Sequence, residues 1–521
     1  MNPRTLMVLS LLSLPGAVTA QSFPTPDPVL RQIWALGMDS SQVYPLAQTL
    51  MDSIGPRLTG SPGIMAGNNW LLSRYRAWGI PARNETYGTW KGWRRGITHV
   101  DLISPRVRTL EATMLAWSPG TPRGQRVAGP VVILPDAADS LAFRRWLPQA
   151  KDKYVMISYA EPTCRPDSAT RGFVRAETFD SLIAQRTAAR QAWGERISRT
   201  GYTTRTLPVA LEDAGARGIL TSNWSGGYGV TRIFNARTQR VPTLDLGCED
   251  YGLVYRLAEN SQSPVIQVEA QSESLGEIPV FNTIAEIRGS EKPDEYVVLS
   301  AHFDSWDGSS GATDNGTGTV TMLEAMRILK RVYPNPRRTI LVGHWSGEEQ
   351  GLNGSRAFMA DHQEIVNGLQ ALFNQDNGTG RVSFMSAAGL VDAGGFLADW
   401  MSRIPSEITG DIRFSFPGAP AGGGSDNASV ACYGAPGFGL GSAFFDYFNY
   451  TWHTNRDTFD KVVFDDLRSN ATLTAMLAYL ASEDPRQVPR DRRIMPITRQ
   501  GGPGEWPACQ PAARSSGEST R

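Results

Sequence analysis

The stretch Tyr296-Val297-Val298-Leu299-Ser300-Ala301-His302-Phe303-Asp304, followed by Gly311-Ala312-Thr313-Asp314-Asn315-Gly316, decides how this chain is read. The apolar run reads as a buried strand. It leads straight into a histidine and an aspartate two residues apart, and a second aspartate follows in a glycine-rich turn. Imidazole and carboxylate at the end of a buried strand are the donors a borderline divalent cation takes. The chain has five histidines in 521 residues, so a histidine at that position carries weight.

Working outward, strands and helices alternate from 275 to 483. Strands are expected at 296–301, 339–345 and 369–374, and helices at 318–332, 352–361 and within 462–480. This alternation predicts an α/β architecture, a mostly parallel mixed sheet with helices on both faces. In such sheets ligands bind beyond the carboxyl ends of the strands. The first strand ends at His302 and Asp304, with Asp314 in the next turn. The second ends at Ser346-Gly347-Glu348-Glu349-Gln350-Gly351, and the third at Gln375-Asp376-Asn377-Gly378. A later aromatic loop, Tyr450-Thr451-Trp452-His453, brings another histidine. Each element alone is commonplace. A pair of glutamates often opens a helix, and an aspartate before Asn-Gly often only forms a turn. Four such segments meeting at one sheet edge argue for a metallohydrolase.

Upstream, 27–80 reads as mainly helical, interrupted by the loop Ile54-Gly55-Pro56-Arg57-Leu58-Thr59-Gly60-Ser61-Pro62-Gly63, with strands at 98–102 and 110–117. Ser118-Pro119-Gly120-Thr121-Pro122 is a linker signal. Beyond it come short apolar runs at 130–134, 154–158, 218–221 and 265–270, separated by charged helical stretches such as 175–196. The domains expected are therefore 21–117 and 273–485 as two parts of one catalytic domain, 118–272 as an inserted α/β domain, and 486–521 as a disordered Pro/Gly/Arg/Ser-rich tail.

Residues 1–20 read as a signal peptide: Arg4, the apolar run 6–14, the break Pro15-Gly16 and the small-residue site Val18-Thr19-Ala20. The apolar run is too short to span a bilayer. No other segment is long enough either, so a secreted or periplasmic protein is expected. Lys+Arg and Asp+Glu both number 51, which gives no reason to expect a nucleic-acid partner. Cys164, Cys248, Cys432 and Cys509 form no close pair, so a cysteine-based zinc motif is excluded. Export permits disulfides, while Cys432, in the strand-like run Val430-Ala431-Cys432, reads as a buried thiol.

The set His302-x-Asp304, Gly311-Ala312-Thr313-Asp314-Asn315, Glu348-Glu349-Gln350-Gly351, Asp376 in Asp-x-Gly-Thr, Gly424-Ser425-Asp426, and His453 with Asp457-Thr458 resembles the co-catalytic dizinc exopeptidases of the secreted leucine aminopeptidase and carboxypeptidase Q type. The loop 54–63 is similar to that family's N-terminal loop, and the insert resembles a protease-associated domain. The resemblance implies the three-layer zinc-exopeptidase fold and two Zn2+, with Co2+ or Mn2+ as alternatives. It implies that His302 and Asp376 hold one metal, Glu349 and His453 the other, and that Asp314 bridges them across a cis bond to Asn315. It implies Glu348 as general base, and Asp304 as the group that hydrogen-bonds and orients His302. Substrates would be peptides or dipeptides with a free amino terminus. The alternatives are a carboxypeptidase acting on short peptides and a glutaminyl cyclase on the same scaffold. Many relatives read Ser-Asp-His where this chain has Ser425-Asp426-Asn427; no implied metal ligand is lost, and contacts near that loop are what the change affects. The aromatic run 444–450 is a further candidate for a pocket wall, with Phe448 and Tyr450 as the residues to test. Side-chain preference and oligomeric state are not legible.

Overall fold

The computed structural model describes residues 25–122, 125–497 and 502–518; the expected signal peptide lies outside them. Alternating side chains build the layers. In the strand Lys292–His302, Val297, Leu299 and Ala301 enter one apolar core with the helices Thr317–Val332 and Phe464–Glu483. Tyr296 and Val298 enter a second core with the helices Asn353–Asp361 and Gln363–Asn367. The strand Arg338–Trp345 divides likewise, Ile340 and Val342 against Leu341. A strand apolar on both faces has this composition because successive residues point to opposite sides and both are covered.

Across the catalytic part the strands lie in the order Gly437–Gly439, Leu369–Asn374, Lys292–His302, Arg338–Trp345, Val265–Ile287. The first four are parallel and the last is antiparallel to its neighbour. The register sets His302 beside Trp345 and Ser300 beside Asn374. Three strands therefore end at one level, and the residues just beyond them, Asp304, Glu348, Glu349 and Asp376, emerge on the same edge.

The long strand Val265–Ile287 pairs antiparallel with Ala82–Ser104 along almost its whole length, from Ala82↔Ala285 to Ser104↔Val265. At its far end it joins Val127–Ile133, followed by the parallel strands Tyr154–Met156, Gly218–Thr221 and Thr243–Leu246. The inserted segment is thus an α/β layer carried on a two-stranded ribbon. Its limits differ from the sequence reading. The ribbon runs unbroken through 272/273, and Ala112–Met114, expected in the catalytic part, pairs with Thr243–Leu246. The helix Leu207–Asp213 turns at Gly215, at φ +90°, into the strand Gly218–Thr221.

Two further expectations are corrected. Residues 428–431 form a helical turn, and Cys432 is no free thiol: it is bonded to Cys509, as Cys164 is to Cys248. The described parts of the tail, 486–497 and 502–518, are not a disordered appendage. Besides the disulfide, Trp506 Nε1 donates to Ala431 O (2.7 Å), Ala513 N donates to Asn353 Oδ1 (2.9 Å), and Arg514 pairs with Asp361 (2.7 Å). Pro and Gly give that segment no periodicity of its own; one disulfide, hydrogen bonds and an ion pair to the catalytic domain hold it. No helix among the described residues is long and apolar enough to cross a membrane.

Candidate metal centre

His302 is the last residue of its strand. Its Nδ1 meets the main-chain carbonyl of Asp304 (3.0 Å), which leaves Nε2 facing Asp376 Oδ1 (2.9 Å) and Asp314 Oδ1 (3.4 Å). The Asp304 carboxylate stands 3.9 Å from Nδ1 and does a different job from the one the resemblance implies. It accepts the amides of Glu348 (3.1 Å) and Glu349 (3.3 Å) and the hydroxyl of Thr59 (3.1 Å). Asp304 therefore orients His302 through its backbone and the glutamate loop through its side chain.

Asp314 lies in a turn opened by Gly311 at φ +58°, where a Cβ would stand 2.3 Å from that of Ser305. Asp457 accepts the amides of Thr313 (2.8 Å) and Asp314 (3.0 Å), and the bond to Asn315 is cis. Asn315 Nδ2 reaches Gln375 O (2.8 Å) and ties this turn to the Asp376 loop. The second Asp314 oxygen faces His453 Nε2 (3.3 Å), which in turn faces Glu349 Oε2 (2.8 Å). Two ligand groups result, His302–Asp314–Asp376 and Asp314–Glu349–His453, joined at one carboxylate.

The chemistry of the donor set fits divalent cations. Asp314 Oδ2, Glu349 Oε1 and His453 Nδ1 are buried without a hydrogen-bond partner. Burial lowers the His302 pKa, but Asp376, Glu348 and Asp314 outweigh it and hold the imidazole well above its usual range. Burial, with Asp376, Glu349 and Asp426 behind it, holds the Glu348 carboxyl well above the usual carboxylate range against the pull of His302. Glu349 is raised likewise, by burial first and Asp314 second. Carboxylates crowded in this way ionise together only beside positive charge. Imidazole and carboxylate donors suit zinc and leave other first-row cations open.

All five expected ligands and Glu348 line one cavity of about 370 Å3. Tyr447, Phe448 and Trp452 form its aromatic side, whereas Tyr450 turns away and packs toward Gly227. The hydroxyl of Tyr447, kept protonated by burial, also reaches Asp314. His344 is a packing residue, buried against Tyr75 Oη (2.6 Å); His99 and His362 pair with carboxylates away from the cavity.

Sequence reasoning missed several groups. Arg57, fully buried, donates to the carbonyls of Phe303 (2.7 Å), Ser310 (2.8 Å), Gly311 (2.9 Å) and Gly55 (3.0 Å), and so clamps both ends of the loop between His302 and Asp314. Its loop was noticed; its place in the chain, some 250 residues from those partners, hid the role. Asp457 acts on the Asp314 turn 143 residues away in sequence, and Arg356, on the cavity wall, carries no local sequence signal. Asp426 is buried with neither oxygen hydrogen-bonded, and burial pushes its carboxyl up to about 7.

Residues 282–478 match the profile of peptidase family M28. That segment is an M28 peptidase domain. The chain is a metallo-exopeptidase hydrolase. It is 24% identical to carboxypeptidase Q of Bos taurus over 459 residues, 87% of this chain and 88% of the relative. It is 33% identical to leucine aminopeptidase 1 of Coccidioides posadasii over 231 residues, 41% of this chain and 58% of that protein. Among solved structures, a peptidase M28 precursor from Shewanella amazonensis superposes with a TM-score of 0.65 at 24% identity, over 88% of this chain and 97% of that one. A zinc aminopeptidase from Bacillus subtilis gives 0.53 at 18% identity, over 87% and 97%.

Proposed function

We propose that the protein is an exported zinc exopeptidase that removes the residue next to a free amino terminus, acting as an aminopeptidase or dipeptidase with two zinc ions. The observation that carries this reading is Asp314, which offers one oxygen to each of two ligand groups while Glu348 lines the same cavity outside both. His302, Asp376 and Asp314 would hold one zinc, and Glu349, His453 and Asp314 the other. Bound zinc supplies Lewis acidity toward the scissile carbonyl and acidifies a water. Glu348, its amide pinned by Asp304, takes the proton of the attacking water and hands it to the leaving amine. Phe448 and Trp452 give the substrate side chain an apolar surface. Two disulfides and the signal-peptide-like sequence of residues 1–20 support export, and the insert is read as a protease-associated-like domain.

The test compares a free and an N-acetylated peptide, with and without chelator. The free peptide is hydrolysed, the acetylated one is not, chelation stops the reaction, and Glu348→Ala lowers kcat by roughly 10²–10⁴-fold. Equal rates on both peptides, or activity that survives in Glu348→Ala, would refute the reading.

One observation favours the carboxypeptidase alternative, or a dipeptidase that reads both ends. Among the residues lining the cavity, Arg356 is the only arginine or lysine, and it is anchored to the carbonyl of Gly351 at 3.0 Å. A dipeptide preferred over its C-terminal amide, with that ratio collapsing in Arg356→Gln, would support it; equal rates on the two would exclude it.

A further inference from the structure

The two histidines of the candidate centre are supported in different ways. His302 ends a strand, is 1% exposed, and has its second ring nitrogen satisfied by the Asp304 carbonyl. His453 lies in a turn at φ +59°, is 12% exposed, and its Nδ1 is buried with no hydrogen-bond partner. Metal-binding imidazoles are ordinarily fixed by a hydrogen bond on that second nitrogen. Something else must fix this one.

The inserted segment supplies it. Ile233 N donates to the carbonyl of His453 itself (2.7 Å), and Arg232 forms a β-bridge with Thr454. Asn455 N donates to Thr231 O (3.0 Å), Thr231 N donates to Asn455 Oδ1 (3.0 Å), and Asn455 Nδ2 donates to Gly229 O (3.1 Å). Further up the loop, Arg232 Nη2 reaches Phe448 O (2.8 Å) and Ser225 Oγ reaches Asn449 O (2.8 Å). The imidazole is boxed by rings. Phe234 meets it edge to face, with centroids 5.3 Å apart at 86°. Trp452 stacks on it at 3.8 Å, and Trp306 lies 5.9 Å away. Trp452 belongs to the same loop and Trp306 to the catalytic domain, so Phe234 is the wall the insert contributes.

We infer that the inserted domain positions a metal ligand: residues 231–234 hold the His453 backbone, and the Phe234 ring sets the plane of its imidazole in place of the missing hydrogen bond. This rests on the dinuclear reading proposed above. The insert is then a structural part of the Asp314–Glu349–His453 group, and Phe234 is a positioning residue that acts through His453.

The test measures zinc affinity of the full chain by competition with a chromophoric chelator, in the wild type, Phe234→Ala and Phe234→Tyr. Phe234→Leu stands in if the alanine variant fails to fold. The wild type takes up two ions. Phe234→Ala weakens one of them about 10–100-fold and leaves the other unchanged, and Phe234→Tyr, which keeps the ring, restores it. Two unchanged affinities, or an equal loss at both, would overturn the inference while leaving the dinuclear reading intact. A wild type that binds a single ion would overturn both.

Discussion

The two ligand groups that meet at Asp314 are made of different material. His302 and Asp376 stand at the ends of adjacent parallel strands, and the sheet that fixes them is buried on both faces. Glu349 and His453 sit on turns, and the histidine loop is gripped by a segment some 224 residues away in sequence. The first group inherits its geometry from the regular fold. In the second, Glu349 is held by Asp304 within the catalytic part, while His453 is held by contact with the insert, so that histidine is the ligand that mutation, truncation or ligand exchange should disturb first.

The harshest way to break the strand-built group is at Arg57. In Arg57→Met the carbonyls of Gly55, Phe303 and Ser310 lose the donor that Arg57 gives them, while Gly311 O keeps the Gly316 amide (3.0 Å). Each buried, unsatisfied polar group costs about 1–3 kcal/mol, so urea unfolding of the metal-free chain should show a loss of about 3 kcal/mol or more. A change below about 1 kcal/mol would mean that the loop holds itself.

Asp304 allows a sharper separation. Its carbonyl serves His302 and its carboxylate serves Glu348 and Glu349. On the proposed dinuclear reading, Asp304→Asn keeps the carbonyl and removes the charge, so it should weaken zinc binding at the Glu349–His453 group about 10-fold or more and spare the His302–Asp376 group. Metal titration checks this. If the His302 side weakens instead, the carboxylate orients His302 after all.

A pH titration tests the packing of the sheet beneath His302. His344 is fully buried, and burial lowers its pKa from 6.5 to about 3. Below pH 6.5 the unfolded chain takes up a proton that the folded chain refuses until about pH 3. Stability contributed by the neutral ring is therefore complete above pH 6.5 and is lost as pH falls through that window, by up to ~1.4 kcal/mol per pH unit. The slope should flatten in His344→Gln. An unchanged slope would mean that the ring is protonated in the folded state.

The same contrast explains what could be read from sequence. The strands Lys292–His302, Arg338–Trp345 and Leu369–Asn374 announce themselves by apolar runs, and their ligands follow within a few residues. Local pattern suffices there. It fails for Arg57, whose partners are distant, and for the insert boundary, because a ribbon paired from 82 to 104 leaves no break in composition. It fails for the tail as well. Cys432 and Cys509 are 77 residues apart, and nothing near either one reports the partner. His453 lies between these cases: its aromatic loop marked it as a candidate, while the contacts that orient it come from the insert.

The most direct measurement is zinc content per chain during stepwise chelation of the wild-type protein. The account predicts two ions that leave in two steps, with hydrolysis of the free peptide lost at the first and the remaining ion held by the strand-built group. A single ion per chain, or two that leave together with no intermediate, would contradict a centre built from two unlike halves around Asp314.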